Sequence, residues 1–179
     1  MNRYVPSLLL LIVGFGLDRL HKAVQISADC VGLGQSLCVG DAFQFVPATM
    51  QDWRGGEVVP VTPFFDYILV WNTGISYSLF SALPVWALGV VTATAVVALS
   101  IWWWRAHSRL VRAGLALAIG GALSNIVDRW LYGAVADFFH FHIGQASFYI
   151  FNLADTAITV GVGLLILDFI GVGRRRSLD

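Results

Sequence analysis

The sequence predicts an α-helical integral membrane protein with four transmembrane helices and a small extracytoplasmic β-sheet, a cradle supplied by the first outer loop, all within one domain over residues 1–179. Three observations point there. The chain is 58% hydrophobic with a mean hydropathy of +0.74, far more apolar than an ordinary soluble domain. Four stretches approach the roughly 20 residues a helix needs to cross a ~30 Å hydrocarbon core. The basic residues gather on one side of those stretches.

The first stretch, about 4–24, is interrupted in its outer third by Asp18, Arg19, His21 and Lys22. A secretory signal is the plain alternative, with Arg3 as its basic start and Ser7 to Leu17 as its apolar run. No small-x-small cleavage site follows that run directly, and Asp18 and Lys22 are spaced i,i+4, so they can pair on one helix face.

The first outer loop, about 25–83, divides in two. Ala23 to Pro60 is glycine-rich and aperiodic, whereas Val61 to Trp71 is rich in β-branched and aromatic residues and runs into the turn signal Asn72-Thr73-Gly74. Cys30 and Cys38 lie in the aperiodic half. In an oxidising compartment they can join, stabilising the chain by roughly 2–3 kcal/mol; two free thiols fit equally well. Asp29 argues against lipid attachment at Cys30, where a small residue is wanted.

The remaining spans are about 84–104, 110–130 and 151–170. Arg3, the link holding Arg105, Arg109 and Arg112, and the tail Arg174-Arg175-Arg176 then share the cytoplasmic side, with both termini inside. Asp29, Asp41, Asp52, Glu57 and Asp66, opposed by Arg54 alone, fall outside. Trp102, Trp103 and Trp104 make an inner aromatic belt, and Trp71, Trp130 and Tyr132 an outer one. Nothing in this distribution has the basic footprint of a nucleic-acid binder.

Two carboxylates stand out at the outer face: Asp137 in Ala134-Val-Ala-Asp-Phe138, and Asp155 at the start of the fourth span. Charges beside hydrocarbon are costly unless they are paired or used, and a pair of carboxylates suits acid/base chemistry. Asn125, Asp128 and Arg129 leave the third span on adjacent faces and can shape such a site, or simply anchor the helix end and satisfy loop amides. Asn152-x-x-Asp155 has capping-box spacing, which explains Asp155 without any chemistry. A helix N-terminus also favours the ionised carboxylate, so a cap and a base are compatible.

Taken together, Asn72-Thr-Gly-Ile-Ser-Tyr-Ser78, Gly120-Gly-Ala-Leu-Ser-Asn-Ile-Val-Asp-Arg129, Ala134-Val-Ala-Asp-Phe138 and Phe151-Asn-Leu-Ala-Asp155, with Asp18 and Lys22, closely resemble the lipoprotein signal peptidases (signal peptidase II). The resemblance covers nearly the whole chain. It implies an intramembrane aspartic peptidase of the bacterial inner membrane that works at the periplasmic face. Its substrates would be prolipoproteins whose cysteine already carries a diacylglyceryl group. Asp137 and Asp155 would be the catalytic pair. Asn72 and Arg129 would contact substrate, Asn125, Asp128 and Asn152 would shape the site, and Asp18 and Lys22 would stabilise the first span and its connection to the sheet. Membrane lipids surround it, the expected working unit is a monomer, and no cofactor or metal is implied.

The chain departs from the family pattern at Ile75, Tyr77 and Ser124 and in its longer first outer loop, which bears on substrate access more than on chemistry. Two other classes deserve weighing. His140-x-His142 follows Asp137 closely enough to suggest a metal-dependent hydrolase, although catalytic zinc wants three protein ligands. A non-enzymatic four-span binding protein, or a catalytically silent relative, would use the same carboxylates to bind ions or hold helices together.

Overall fold

A computed structural model describes residues 4–26, 58–73 and 85–172. The elements run α1 (Val5–Gln25), β1 (Val59–Thr62), β2 (Phe65–Asn72), α2 (Val85–Arg105), α3 (Arg109–Tyr132), β3 (Val135–Ile143), β4 (Ala146–Ser147) and α4 (Leu153–Phe169). Each expected span overlaps one helix, with ends displaced by only one or two residues. Trp86–Arg105 and Arg109–Tyr132 are long and apolar enough to cross a membrane. Cys30, Cys38, Arg3 and Arg174 to Arg176 lie outside the described residues.

Local signals set the helix ends. Proline stands in the first turn of α1, where its missing N–H costs nothing. The Ser108 hydroxyl accepts a hydrogen bond from the Val111 N–H and starts α3. Gly133, at φ 72°, ends it in the left-handed conformation and donates its N–H to the Arg129 carbonyl.

α3 is the central helix, packed on α1, α2 and α4. Two consecutive glycines let its backbone touch two neighbours at once. A Cβ on Gly120 would lie 2.5 Å from the Leu11 carbonyl oxygen of α1, and one on Gly121 would strike the Ala154 carbonyl oxygen of α4. The outward faces are apolar, with Leu9, Ile12, Val90, Trp104, Val160 and Phe169 exposed, while Asp18, Lys22 and Asp128 turn inward. Such an inverted surface matches a hydrocarbon surround.

The sheet departs from expectation in two ways. It has four antiparallel strands in the order β1-β2-β3-β4, so half of it comes from the segment between α3 and α4 rather than from the first outer loop alone. Residues 135–143 are rich in strand-forming Val, Ile and Phe, but the adjacent Phe138 and Phe139 blur the period-2 signal. The expected extended run from Val61 to Trp71 also breaks at Pro63 and Phe64, where the chain turns between β1 and β2. Proline has no N–H to give a ladder.

Ile26, Tyr67, Leu69, Ala136 and Phe138 form the core between sheet and helices. His21 of α1 presents its ring edge-on to Phe138, centroids 4.8 Å apart, and its Nε2 is 3.1 Å from the Tyr67 hydroxyl. Trp71 packs on Tyr132 at 5.1 Å instead of serving an exposed outer belt, because pairing on β2 turns it toward the end of α3. Trp130 is 82% exposed, as a belt residue should be.

Candidate active site

Strand pairing and a helix start bring the two expected carboxylates together. Asp137 lies on β3 opposite Val70 of β2. The residues leading into α4 then fold back onto β3. Phe151 donates its N–H to the Phe139 carbonyl at 3.0 Å, and its own carbonyl accepts from Phe138 and Phe139 at 2.9 and 2.8 Å. This clasp fixes Asn152 beside Asp137 and begins α4 with Asp155 in its first turn.

The capping box is real. Asn152 Oδ1 accepts the Asp155 N–H at 2.9 Å, and Asp155 Oδ2 accepts the Asn152 N–H at 3.3 Å. It accounts for only one oxygen of Asp155. The other, Oδ1, accepts from Asn125 Nδ2 at 3.0 Å. Asn152 Nδ2 lies 2.7 Å from Asp137 Oδ1, 3.2 Å from Asn125 Oδ1 and 3.2 Å from the Ala136 carbonyl; the short contact makes Asp137 its principal acceptor. Asn72 Nδ2 donates to Asp137 Oδ2 at 3.0 Å. Two amides, Asn152 and Asn125, therefore join the carboxylates into one hydrogen-bonded chain.

Beneath this chain lies a buried charge network. Lys22 Nζ is 2.7 Å from Asp18 Oδ2, 2.6 Å from Asp128 Oδ2 and 3.2 Å from Asn125 Oδ1, and Lys22, Asp18 and Asp128 are 0% exposed. Arg19 pairs with Asp128 and donates to the Ser124 carbonyl. Two cations thus balance two carboxylates, which is what allows charges to stay buried. Asp18 Oδ1 also accepts the Ala154 N–H at 2.9 Å, so α1 caps α4 from outside, and Asp18 Oδ2 accepts from the Ser124 hydroxyl at 2.6 Å. Asp128 Oδ2 accepts the Ala136 N–H at 3.2 Å, one residue before Asp137.

Burial pushes the Asp137 carboxyl up to about 7, and the neighbouring Asp155 charge adds to the rise. Hydrogen bonds from Asn72 and Asn152 and the Lys22 charge pull the other way without cancelling it. Among the described residues, Arg129 stands outside the Lys22 ion-pair network yet interacts with both carboxylates. It donates to the Asn125 carbonyl at 3.3 Å within its own helix and feels the charges of Asp137, Asp155 and Asp128.

Asp137, Asp155, Asn72, Asn125, Asp128, Arg129, Asn152, Asp18 and Lys22 thus converge on one region. Their details differ from expectation in one respect. Asp18 and Lys22 tie α1 to α3 and to the start of α4, and it is the intervening His21 that reaches the sheet. Arg19 and Ser124 also belong to the network, beyond the residues expected at the site. The signal for Arg19 was the cost of a third charge in the same apolar span; for Ser124 it was only its position beside Asn125. His140 and His142 lie on one side, as alternation requires, but both face Asp66, each with a ring nitrogen 3.1 Å from Asp66 Oδ2. They do not join the aspartate pair.

Fold and site define a helical bundle, apolar outside, whose sheet and fourth helix hold two carboxylates in a buried amide-lined niche suited to proton transfer. Residues 10–171 match the Signal peptidase (SPase) II family. The chain is 58% identical over 120 residues to a lipoprotein signal peptidase of Beijerinckia indica, covering 65% of this chain and 72% of that one. It is 39% identical over 176 residues to the lipoprotein signal peptidase of an Azoarcus species, covering 96% and 86%. Its fold matches a bacterial membrane enzyme solved by the in meso method at 2.3 Å, with TM-score 0.71 and 21% identity over 97% of this chain and 93% of that one. The chain belongs to the signal peptidase II family and is a signal peptidase II enzyme.

Proposed function

We propose that this protein is an intramembrane aspartic endopeptidase of the bacterial inner membrane. It removes signal peptides from prolipoproteins whose cysteine carries a diacylglyceryl group. All four helices span the bilayer, both termini are cytoplasmic and the site opens at the periplasmic face. The observation that carries the reading is the continuous amide chain between Asp137 and Asp155.

Two carboxyls so close cannot both ionise cheaply, so one holds a proton while the other acts as base. Burial raises the Asp137 carboxyl toward about 7, so it holds a proton at far higher pH than an ordinary carboxyl and suits the acid. Asp155 sits at the positive end of α4, with one oxygen bound by a backbone N–H and the other by the Asn125 amide, donors that favour the ionised form and suit the base. Asp155 takes a proton from water as the water attacks the scissile carbonyl. Asp137 hydrogen-bonds the carbonyl oxygen as charge develops there, and the roles reverse to release the amine. Arg129 and Asn72, at the rim of the niche, contact the substrate backbone.

The test is cleavage of a diacylglyceryl-modified precursor by purified protein, alongside Asp137→Asn and Asp155→Asn. Each substitution should lower kcat by about 10²-fold or more, the scale of general acid/base catalysis. Wild-type turnover in either variant would remove the aspartate pair from the mechanism.

A further inference from the structure

Three strands place a second set of reactive side chains away from the aspartate pair. Asp66 of β2 is the register partner of His140 on β3, and Ser147 of β4 is the register partner of His142. Ser147 reaches diagonally along the same face to His140, a contact adjacent strands allow. His140 Nδ1 lies 3.1 Å from Asp66 Oδ2, and His140 Nε2 lies 2.6 Å from Ser147 Oγ. The carboxylate thus meets one ring nitrogen and the hydroxyl meets the other, the order of a nucleophile, base and orienting acid.

With its proton on Nδ1, toward Asp66, the His140 ring turns the Nε2 lone pair to Ser147. Ser147 Oγ has a second acceptor, the Phe148 carbonyl at 3.2 Å, but the histidine is nearer by more than half an ångström. His142 Nε2 also comes within 3.1 Å of that Asp66 oxygen but makes no hydrogen bond to it, so His140 is the histidine the carboxylate orients. Asp66 is buried and Ser147 is exposed, as an orienting acid and a nucleophile should be. Ser147 also lines a cavity of about 430 Å³ whose other walls include Phe64, Phe141, Ile143, Ala146 and Phe148. That volume falls within the range of small-molecule sites, and its lining suits a hydrocarbon chain.

We propose that Ser147, His140 and Asp66 form a second, serine-dependent hydrolytic site that takes fatty-acyl esters. Ser147 Oγ bonds to the ester carbonyl carbon as its proton passes to His140 Nε2. The carbon–oxygen bond to the alcohol breaks, and the alcohol leaves with that proton. Water then attacks the acyl-serine through the same histidine, releases the fatty acid and returns the proton to Ser147. The acyl chain lies in the aromatic cavity throughout.

The experiment treats purified full-length protein in detergent micelles with an alkyl fluorophosphonate and maps the adduct by mass spectrometry. One adduct on Ser147 is expected, with none in Ser147→Ala. Labelling should be at least about 10-fold slower in His140→Gln and absent after heat denaturation, and the protein should turn over p-nitrophenyl decanoate with a burst that Ser147→Ala abolishes. No adduct on Ser147 in the folded wild type would overturn the proposal. So would labelling that is as fast in His140→Gln or in unfolded protein, since that marks an ordinary surface serine.

Discussion

Lys22 Nζ stands 3.2 Å from Asn125 Oδ1, and this contact decides which way the Asn125 amide faces. An ammonium can only donate, so the amide oxygen must turn to it and the NH₂ must turn to Asp155 Oδ1, 3.0 Å away. A buried cation that never meets the substrate thereby sets the donor on a carboxylate proposed to react.

Asn125→Asp tests that orientation. It keeps an oxygen for Lys22 but replaces the donor to Asp155 with a second oxygen. We expect kcat to fall about 10²-fold with KM little changed, on the scale of one lost catalytic hydrogen bond. An equal loss in KM alone would assign Asn125 to substrate binding instead.

Lys22→Met removes one cation and leaves Asp18 and Asp128 buried with Arg19 alone. Breaking a buried pair in this way costs about 3–5 kcal/mol. Thermal unfolding in micelles should show a fall in Tm of several degrees or a failure to accumulate folded protein.

Asn152 carries two jobs that substitution can separate. Asn152→Ser keeps an oxygen for the Asp155 N–H but loses the donor to Asp137, so stability should hold within about 1 kcal/mol while kcat drops. Asn152→Ala should lose the cap as well, about 0.5–2 kcal/mol more. Tm and kcat measured on both variants give the split.

The raised pKa of Asp137 predicts two pH effects with a definite sign. Its folded value of about 7 lies above its ordinary value of 3.8, so folding favours the protonated form. That contribution is complete below pH 3.8 and is lost as pH rises toward 7, at about 1.4 kcal/mol per unit of pKa difference. Tm should decline across this window, less steeply in Asp137→Asn. Cleavage should fall above pH 7 as the proton leaves. A rate that rises through pH 8 would contradict the acid role.

Gly121→Val puts a branched side chain against the Ala154 carbonyl, one residue before Asp155. Overpacking of this kind costs about 1–3 kcal/mol, and displacement of α4 should lower cleavage too. Gly16→Ala, which meets nothing within 4 Å, should leave cleavage unchanged.

What could be read from the sequence was what is local or repetitive. The four long helices are legible because each is a long apolar run in the sequence. Asn152-x-x-Asp155 is legible because a capping box closes within four residues. The contacts that organise the site join residues far apart, 103 positions for Lys22 to Asn125 and 30 for Asn125 to Asp155, so no spacing rule reveals them. β3 is hard to see in the sequence because its apolar run does not alternate cleanly, although it carries Asp137. The turn at Pro63 was present in the residue type but hidden inside a strand-forming run.

The neutral cluster of Asp18, Arg19, Lys22 and Asp128 bears on which helices can bury their charges alone. Three of those four charges belong to α1, where Asp18 and Lys22 pair with each other and Arg19 is left over. Its balancing partner arrives only with Asp128, more than a hundred residues later. Taken alone, α1 therefore carries a part-buried positive charge that only packing against α3 neutralises.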